Sequence, residues 1–474
     1  MVVLDIDPAI LTLIEQLRSE IAELRQENEM LRAKVADLEA RLAKYEGKPP
    51  TDPSTPSGMT PPFHKKNKKG KRKKPGRKKG HAGAHRASVE PNNHEHHGVD
   101  CCPDCGTDLR DKPATTRTRI TEDLPPKNEP EVTAHGVESK WCPKCKKRVE
   151  AKVDAALPRS TLGLRVMLLS AWMHYALGTP AHAVVKYLKR AHGFPVTVGG
   201  LTQAWRRLAE VLAPLHAAIW EEIRGAGVLH ADETGWRVDG RTCWLWCFAT
   251  KSAVYYVIDK TRGSKVVRRV LGECFSGVLV TDFFAAYGFL RAAAKQKCLA
   301  HLLRELEKVS LRNAGEEWRG FAAKAKRFLK DALRLGVDRA KCDDAEYDRR
   351  WRRLHDRLSE IYGGDYADKD CNRLARRFEK YRDELLVFLE RENVDATNNH
   401  GERAIRPAVV MRKNYGGNRS ERGAEVQAEL MSIFRTLEMR GVDPLDHLEQ
   451  QLRASLSRGD RLTLPALEAQ AVAA

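Results

Sequence analysis

Apolar residues recur every three or four positions along the first part of the chain. Leu17, Leu24, Leu31 and Leu38 fall at heptad position d, and Ile14, Ile21, Asn28, Val35 and Leu42 fall at position a. Branched residues at a with Leu at d favour a parallel two-stranded coiled coil, and a single Asn at a fixes its register. The seven-residue period does not drift, which favours a zipper over an amphipathic helix packed on its own core. We therefore predict that residues 1–46 form a coiled coil that joins two copies of the chain as a homodimer.

A different pattern begins at Gly227, where short apolar runs alternate with turns. Val228–Asp232 reads as a strand that delivers an acid, and Cys243–Thr250 and Ala253–Asp259 read as two further strands. Gly263–Leu271 reads as a helix, and Val278–Asp282 as a buried strand that ends in a second acid. This order is typical of the ribonuclease H-like fold, in which the first and fourth strands lie side by side. We therefore expect an α/β fold class, with the first part of a ribonuclease H-like core in residues 227–310.

Helical spacing dominates on both sides of this core. In residues 153–226, Thr179–Ala191 and Val198–Leu212 read as two helices separated by a short turn. That pattern matches a DNA-binding helix-turn-helix, but a helical hairpin in a protein core has the same pattern. Residues 311–392 read as a helical insertion, and residues 393–474 as a catalytic helix followed by a helical C-terminal region.

Composition limits the choice of partner. The chain has 474 residues, of which 42% are hydrophobic and 31% charged, and no apolar run approaches the roughly 18–20 residues that span a bilayer. The N-terminus lacks the features of a secretory signal, so we expect a cytoplasmic protein without a membrane partner. A net charge of +19 with a pI near 9.4 indicates a polyanionic partner. Nucleic acid is favoured over an anionic membrane surface because no basic amphipathic helix or lipidation motif is visible.

Residues 47–100 combine a Pro- and Ser-rich linker with a dense basic run. The basic residues of this run are Lys65, Lys66, Lys68, Lys69, Lys71, Arg72, Lys73, Lys74, Arg77, Lys78 and Lys79. Their mutual repulsion favours an unfolded arm until phosphate groups neutralise it, so we predict that the arm binds DNA. The alternative is a solvated tail.

Two Cys-Pro-x-Cys turns lie in residues 101–152. The first is formed by Cys102 and Cys105 and the second by Cys142 and Cys145. Two such turns together can provide the four thiolates of a tetrahedral zinc site, so we predict a zinc ribbon-like module with a structural Zn²⁺. A redox motif is the alternative, but it would need only one of the two pairs.

A third acid for the core lies in a polar segment near residue 400. Glu402, Arg403 and Arg406 share one helical face, which would place a metal ligand beside two cations able to contact phosphate. Carboxylates held close together need a cation to be tolerated, so Asp232, Asp282 and Glu402 are candidate ligands of Mg²⁺ or Mn²⁺. The alternative for Glu402 is an ordinary surface pair with an arginine.

Several motifs together resemble one family. They are Leu229–Trp236, Thr281–Tyr287, Cys298–His301, Asn398–Pro407 and Arg412–Asn418. These motifs, and the order of the segments, resemble the insertion-sequence-66 group of bacterial transposases over nearly the whole chain. The resemblance implies a DDE transposase on a ribonuclease H-like fold, with Asp232, Asp282 and Glu402 as the catalytic triad. It also implies a mobile element that encodes small accessory proteins as partners.

One motif departs from the family pattern. Leu302 and Leu303 separate His301 from Arg304, where the family has more basic residues. Cys298 and His301 therefore have two interpretations, which are a direct role with substrate and ordinary core packing.

The function that these features favour is two-metal phosphoryl transfer on DNA. Three carboxylates can hold two metal ions, so one site can cleave DNA at the ends of an insertion sequence and join those ends to target DNA. Two alternatives remain at this point. A non-catalytic, zinc-containing DNA-binding regulator would leave the carboxylates unused, and a nuclease without strand transfer would not need a dimer.

Overall fold

The computed structural model describes residues 20–22, 24–33, 35–37, 91, 100–101, 103–113 and 129–466. Its helices are α1 (residues 20–22, 24–33 and 35–37), α2 (Leu164–Tyr175), α3 (Ala181–His192), α4 (Val198–Arg224), α5 (Ser264–Leu271), α6 (Leu299–Ser310), α7 (Glu316–Asp338), α8 (Asp344–Tyr362), α9 (Lys369–Lys380), α10 (Val387–Glu390), α11 (Asn399–Tyr415), α12 (Glu421–Met439) and α13 (Pro444–Arg458). Its strands are β1 (Ser139–Cys142), β2 (Lys147–Glu150), β3 (Val228–Val238), β4 (Arg241–Ala249), β5 (Val254–Asp259), β6 (Cys274–Thr281) and β7 (Arg291–Lys297).

The chain divides into two compact units. One is formed by Met1–Lys65, His135–Val184 and Val198–Ala474, and the other by Lys66–Ala134 and Val185–Thr197. The main sheet and the helices from α4 onward belong to the first unit. None of the helices that the structure describes is long and apolar enough to cross a membrane.

The main sheet has five strands in the order β5-β4-β3-β6-β7. Strands β3, β4 and β5 pair antiparallel, whereas β6 pairs parallel to both β3 and β7. A two-residue turn joins β3 to β4, and both Asp239 and Gly240 have positive φ angles there, 51° and 71°. Such turns match the twist of an antiparallel hairpin and suit Asp-Gly. The predicted order of three strands, a helix and a fourth strand is confirmed, as is the contact between the first and fourth strands.

Two details of the sheet differ from the prediction. Strand β3 does not end at Asp232 but continues to Val238, because β4 still pairs with it and places Cys247 opposite Asp232. Strand β7 was missed because its sequence is rich in Ala and Lys, which have low strand propensity. Pairing along β6 stabilises this segment in spite of its local preference.

Helices α11 and α12 pack on the antiparallel part of the sheet. Trp236, Leu245 and Tyr256 of the sheet share a buried core with Ala408 of α11 and Met431 of α12. Helix α12 also completes the hydrogen bonds of β5 at the sheet edge. The N–H groups of Val254 and Tyr256 donate to the hydroxyls of Thr436 and Ser432, at 3.1 and 2.9 Å. An edge strand covered in this way offers no free pairing groups at those positions.

Residues 311–392, which we predict to be a helical insertion, contain helices α7 to α10. Trp318, Phe328, Leu374 and Phe378 are buried in its core. Helix α6 belongs to the same core, and its buried Glu305 accepts hydrogen bonds from Arg373 (2.6 Å) and Arg377 of α9. The insertion is therefore fixed to α6 by apolar packing and by a buried ion-pair cluster.

Helices α3 and α4 confirm the two helices of the predicted helix-turn-helix, although α4 runs through Pro214 to Arg224 rather than ending at Leu212. Reading of DNA by these helices stays a prediction.

Strands β1 and β2 form an antiparallel hairpin around Cys142 and Cys145. The N–H of Cys145 donates to the sulfur of Cys142 at 3.4 Å, which lowers the pKa of the Cys142 thiol.

Several predictions fall partly or wholly outside the described residues. The basic arm from Lys65 to Lys79, Cys102 and most of residues 1–46 lie there. Within the described part of the predicted zipper, residues at positions a and d are about half exposed, among them Ile21, Leu24, Leu31 and Val35.

Candidate active site

The pairing of β3 with β6 places two of the predicted acids at equivalent positions. The parallel register pairs Val228 with Val278 and His230 with Val280. Asp232 and Asp282 each lie two residues beyond His230 and Val280, so the same register carries both to the same edge of the ladder. Side chains two residues apart on a strand share a face, so Asp232 lies on the same face of β3 as His230.

The segment that carries Asp282 is fixed by hydrogen bonds on both sides. The Asp282 carboxylate accepts from the N–H of Phe284 at 2.8 Å. The Lys297 ammonium donates to the Asp282 carbonyl at 3.0 Å and to the Thr281 hydroxyl at 2.9 Å. The Lys297 side chain is only 3% exposed, and burial lowers its pKa. The sequence analysis missed Lys297 because it missed β7, the strand that ends at this residue.

Asp232 experiences the charges of the other acids directly. Burial raises its pKa well above the usual value, and repulsion from Glu233, Asp282 and Glu402 adds to that effect. Asp282 and Glu402 therefore lie near enough to Asp232 to raise its pKa, although α11 begins more than a hundred residues after β6.

Asn398 attaches the start of α11 to β3. Its side chain is buried, donates to the Ala231 carbonyl at 2.8 Å, and lies 3.1 Å from Nδ1 of His230. Nε2 of His230 lies 3.4 Å from Asp395, and this contact lowers the pKa of the Asp395 carboxyl. Glu402 follows in the first turn of α11. The helix end that carries Glu402 is thus bonded to the residue that precedes Asp232.

Glu402 is paired with a residue that was not predicted as part of the site. Nη2 of Arg304 in α6 lies 2.7 Å from Oε1 of Glu402, and Nε2 of His301 lies 3.8 Å from the same oxygen. The same Arg304 nitrogen lies 3.1 and 3.2 Å from the two ring nitrogens of His301. Burial, followed by the nearby Arg304, lowers the pKa of His301.

The two residues of the Cys298–His301 motif lie in different surroundings. Cys298 is fully buried and donates its N–H to the Thr281 carbonyl at 2.9 Å, so it packs in the core. His301 lies beside Glu402 and belongs to the site.

Glu233 follows Asp232 along the chain but is directed to different partners. Its carboxylate accepts from Arg262 at 2.7 and 3.1 Å and from the Tyr287 hydroxyl at 2.8 Å, and its side chain is 1% exposed. Burial and repulsion from Asp282 raise the pKa of Glu233 to about 7. Successive side chains on a strand point to opposite faces, which explains why neighbours in sequence have separate environments. Glu233 joins β3 to the loop that follows Asp282.

The acids of the site have the donor atoms that a divalent cation prefers, but their spacing is wider than a metal site requires. Carboxylate oxygens are the ligands that Mg²⁺ and Mn²⁺ prefer, and burial followed by repulsion from the neighbouring acids raises the pKa of Asp232, an effect that a bound cation would offset. Within the described residues, however, no three His, Cys, Asp or Glu side chains are grouped closely enough to hold a metal ion. Glu402 is instead paired with a cation of the protein, because Nη2 of Arg304 contacts its Oε1.

The remaining predicted residues divide by location. Arg403 and Arg406 are exposed on α11, where phosphate could reach them. Cys105 is exposed, with its sulfur 3.1 Å from the Thr107 hydroxyl.

Comparison with known proteins relates this chain to one family model and to two proteins of a bacterial strain. The sequence model described as Transposase IS66 family matches residues 159–426, a stretch that includes Asp232, Asp282 and Glu402. The uncharacterized protein y4qI of Sinorhizobium fredii (strain NBRC 101917 / NGR234) is 28% identical in an alignment 340 residues long that covers 63% of this chain and 60% of that protein. The uncharacterized protein y4hP of the same strain is 23% identical in an alignment 336 residues long that covers 61% of this chain and 58% of that protein. The chain thus spans about three fifths of the length of these relatives.

Replacement of Asn398 tests the link between α11 and β3. Asn398→Ala leaves the Ala231 carbonyl and the His230 ring without a buried partner, so the free energy of unfolding should fall by about 1–3 kcal/mol. Asn399→Ala, at an exposed neighbouring position, is the matched control and should change it by less than about 0.5 kcal/mol. Urea denaturation of the full chain measures both values. Equal stability of the two variants would show that Asn398 does not anchor α11.

Proposed function

The chain belongs to the IS66 family of transposases, and from this premise we propose that it is a DDE transposase that cleaves and joins the DNA ends of a bacterial insertion sequence. The observation that carries the proposal is the β3–β6 register, which puts Asp232 and Asp282 at equivalent positions, together with the effect of Glu402 on the pKa of Asp232. A purely structural protein gains nothing from a buried Asp232 whose pKa is raised by burial and by neighbouring acids, whereas metal-dependent phosphoryl transfer uses such carboxylates.

The order of elements supports a ribonuclease H-like assignment for the core. Three antiparallel strands, a helix and a parallel fourth strand bring the first and fourth strands together, and a later helix adds the third acid. This arrangement is the basis on which we assign the α/β core to that fold.

Asp232, Asp282 and Glu402 are the proposed ligands of two Mg²⁺ or Mn²⁺ ions. Two such ions would activate the attacking hydroxyl group and stabilise the leaving 3′ oxygen in an in-line displacement. Lys297 holds the backbone at Asp282, and Asn398 holds the start of α11, so both act as positioning residues. Arg403 and Arg406 lie on the helix that carries Glu402 and would bind the phosphates of the substrate strand.

DNA binding away from the site is assigned to the N-terminal half of the chain. We propose that the basic residues between Lys65 and Lys79 add affinity without base selection, because Lys contacts phosphate as a point charge. Recognition of the element ends then depends on α3, α4 and the zinc module. Small accessory proteins of the same element are proposed as further partners.

Substitution of the three acids tests the catalytic assignment. Asp232→Asn, Asp282→Asn and Glu402→Gln should each reduce Mg²⁺-dependent cleavage and joining by on the order of 1000-fold while binding of element ends persists. Asp239→Asn is the matched control, because the turn position with φ of 51° accepts Asn and lies outside the site. The assay uses labelled element ends with the full chain.

Each result of that assay has a separate meaning. Binding without cleavage by the unmodified chain would indicate a DNA-binding regulator, and cleavage without joining would indicate a nuclease. Cleavage retained in one of the three variants would remove that residue from the site.

Elemental analysis tests the zinc module. The purified chain should contain about one zinc ion, and both Cys102→Ser and Cys142→Ser should lose it, because structural zinc needs all four thiolates. Cys101→Ser, at the adjacent thiol, is the control and should keep zinc. A purified chain without zinc would contradict the proposal.

Light scattering tests the zipper. Deletion of residues 1–46 should give a monomer, and so should Leu31→Lys, which puts a charge at a d position. Glu29→Lys lies at the outward b position of the same turn and should leave the dimer intact. A dimer that persists in the deletion variant would place the interface elsewhere in the chain.

A further inference from the structure

The cation nearest to Glu402 in the structure belongs to the protein itself. Arg304 makes its ion pair with Glu402 and makes no other ion pair among the described residues. Its side chain is 48% exposed, and that of Glu402 is 35% exposed. A pair with this exposure is screened by solvent, so it can open and exchange readily.

The helix that carries Arg304 is anchored by buried residues, whereas the Arg304 side chain is about half exposed. On either side of Arg304 in the sequence, Leu302 and Glu305 are buried, the first in the apolar core and the second under Arg373 and Arg377. The backbone of α6 is therefore anchored, while a long side chain with five N–H donors projects from it. Such a side chain can move from one oxygen anion to another without any movement of the helix.

The charge of the site changes when DNA and its metal ions are bound. Arg304 compensates part of the carboxylate charge in the structure as it stands. A metal ion bound at Oε1 of Glu402 would lie beside the Arg304 guanidinium, which contacts the same oxygen, and the two positive charges would repel each other. Arg304 must therefore lose this partner, and the phosphate of the substrate strand is the anion that arrives at the same place.

We propose that Arg304 occupies the metal position at Glu402 in the DNA-free chain and exchanges Glu402 for a DNA phosphate when substrate binds. The inference rests on the proposed function, and it adds a substrate-binding role for a residue outside the three acids. His301 lies beside both residues, with Nδ1 3.1 Å from Nη2 of Arg304 and Nε2 3.8 Å from Oε1 of Glu402.

Two measurements with expected changes of opposite sign test this proposal. In the DNA-free full chain, Arg304→Ala should tighten Mn²⁺ binding by about two- to fivefold, because Glu402 is released from a partly exposed ion pair. At saturating Mn²⁺, the same variant should cleave element ends about 100-fold more slowly, because a phosphate contact is lost. Electron paramagnetic resonance of free Mn²⁺ gives the first value, and a labelled-end assay gives the second.

Two further variants control the experiment. Arg304→Lys keeps the charge but loses the planar fork, so its cleavage rate should lie between those of the wild type and Arg304→Ala. Arg165→Ala removes an arginine of similar exposure that pairs with Asp446 and Glu449 of α13, and it should change neither measurement.

The outcomes separate this inference from the proposed function. Weaker or unchanged Mn²⁺ binding by Arg304→Ala would show that the arginine does not occupy the metal position, and undiminished cleavage would show that it does not bind phosphate. Either result would overturn the inference while the wild-type chain still bound Mn²⁺ and cleaved DNA. A wild-type chain that did neither would overturn the proposed function, and the inference with it.

Discussion

Repulsion between carboxylates at the β3–β6 edge is the constraint around which the core is arranged. The parallel register puts Asp232 and Asp282 at equivalent positions, and α11 adds Glu402 to the same place. Burial makes this repulsion more costly, because the charges are poorly screened. The neighbouring residues hold Asp232 and Asp282 through their backbone, whereas Glu402 is paired with the guanidinium of Arg304.

The supporting contacts act on the backbone around the acids. Lys297 bonds the carbonyl of Asp282, and Asn398 bonds the carbonyl of Ala231, so neither takes a carboxylate oxygen of the site. Arg262 donates to Glu233 of β3, and its guanidinium also lies 4.0 Å from the ring of Phe284 in the loop after Asp282. This pair therefore links β3 to that loop. These contacts position the backbone at Asp232 and Asp282 without taking a carboxylate oxygen of either residue.

The sequence predicted this site to the extent that local pattern determines it. Asp282 could be found because an apolar strand ends immediately before it, and Glu402 because a polar helical face surrounds it. Asp232 was found as well, but its place inside a longer strand depends on pairing with β4, which a single segment does not reveal. Glu233 directly follows Asp232 in the sequence, and the alternation of side chains along a strand assigns the two to opposite faces. Arg304 could not be assigned to Glu402, because their contact depends on how the chain returns after a long insertion.

The structure explains why that insertion leaves the site intact. The chain departs into the insertion from α6 and returns beside it, since the N–H of Leu299 donates to the carbonyl of Ala396 at 3.0 Å. Gln296, fully buried at the end of β7, bonds the backbone of Leu385 and Phe388 near the end of the insertion. Because the two ends of the insertion meet, its length adds little strain to the sheet. Helix α6 belongs both to the core of the insertion and to the site, where His301 and Arg304 face Glu402. The helix that packs in the core of the insertion is therefore also the helix whose Arg304 pairs with Glu402.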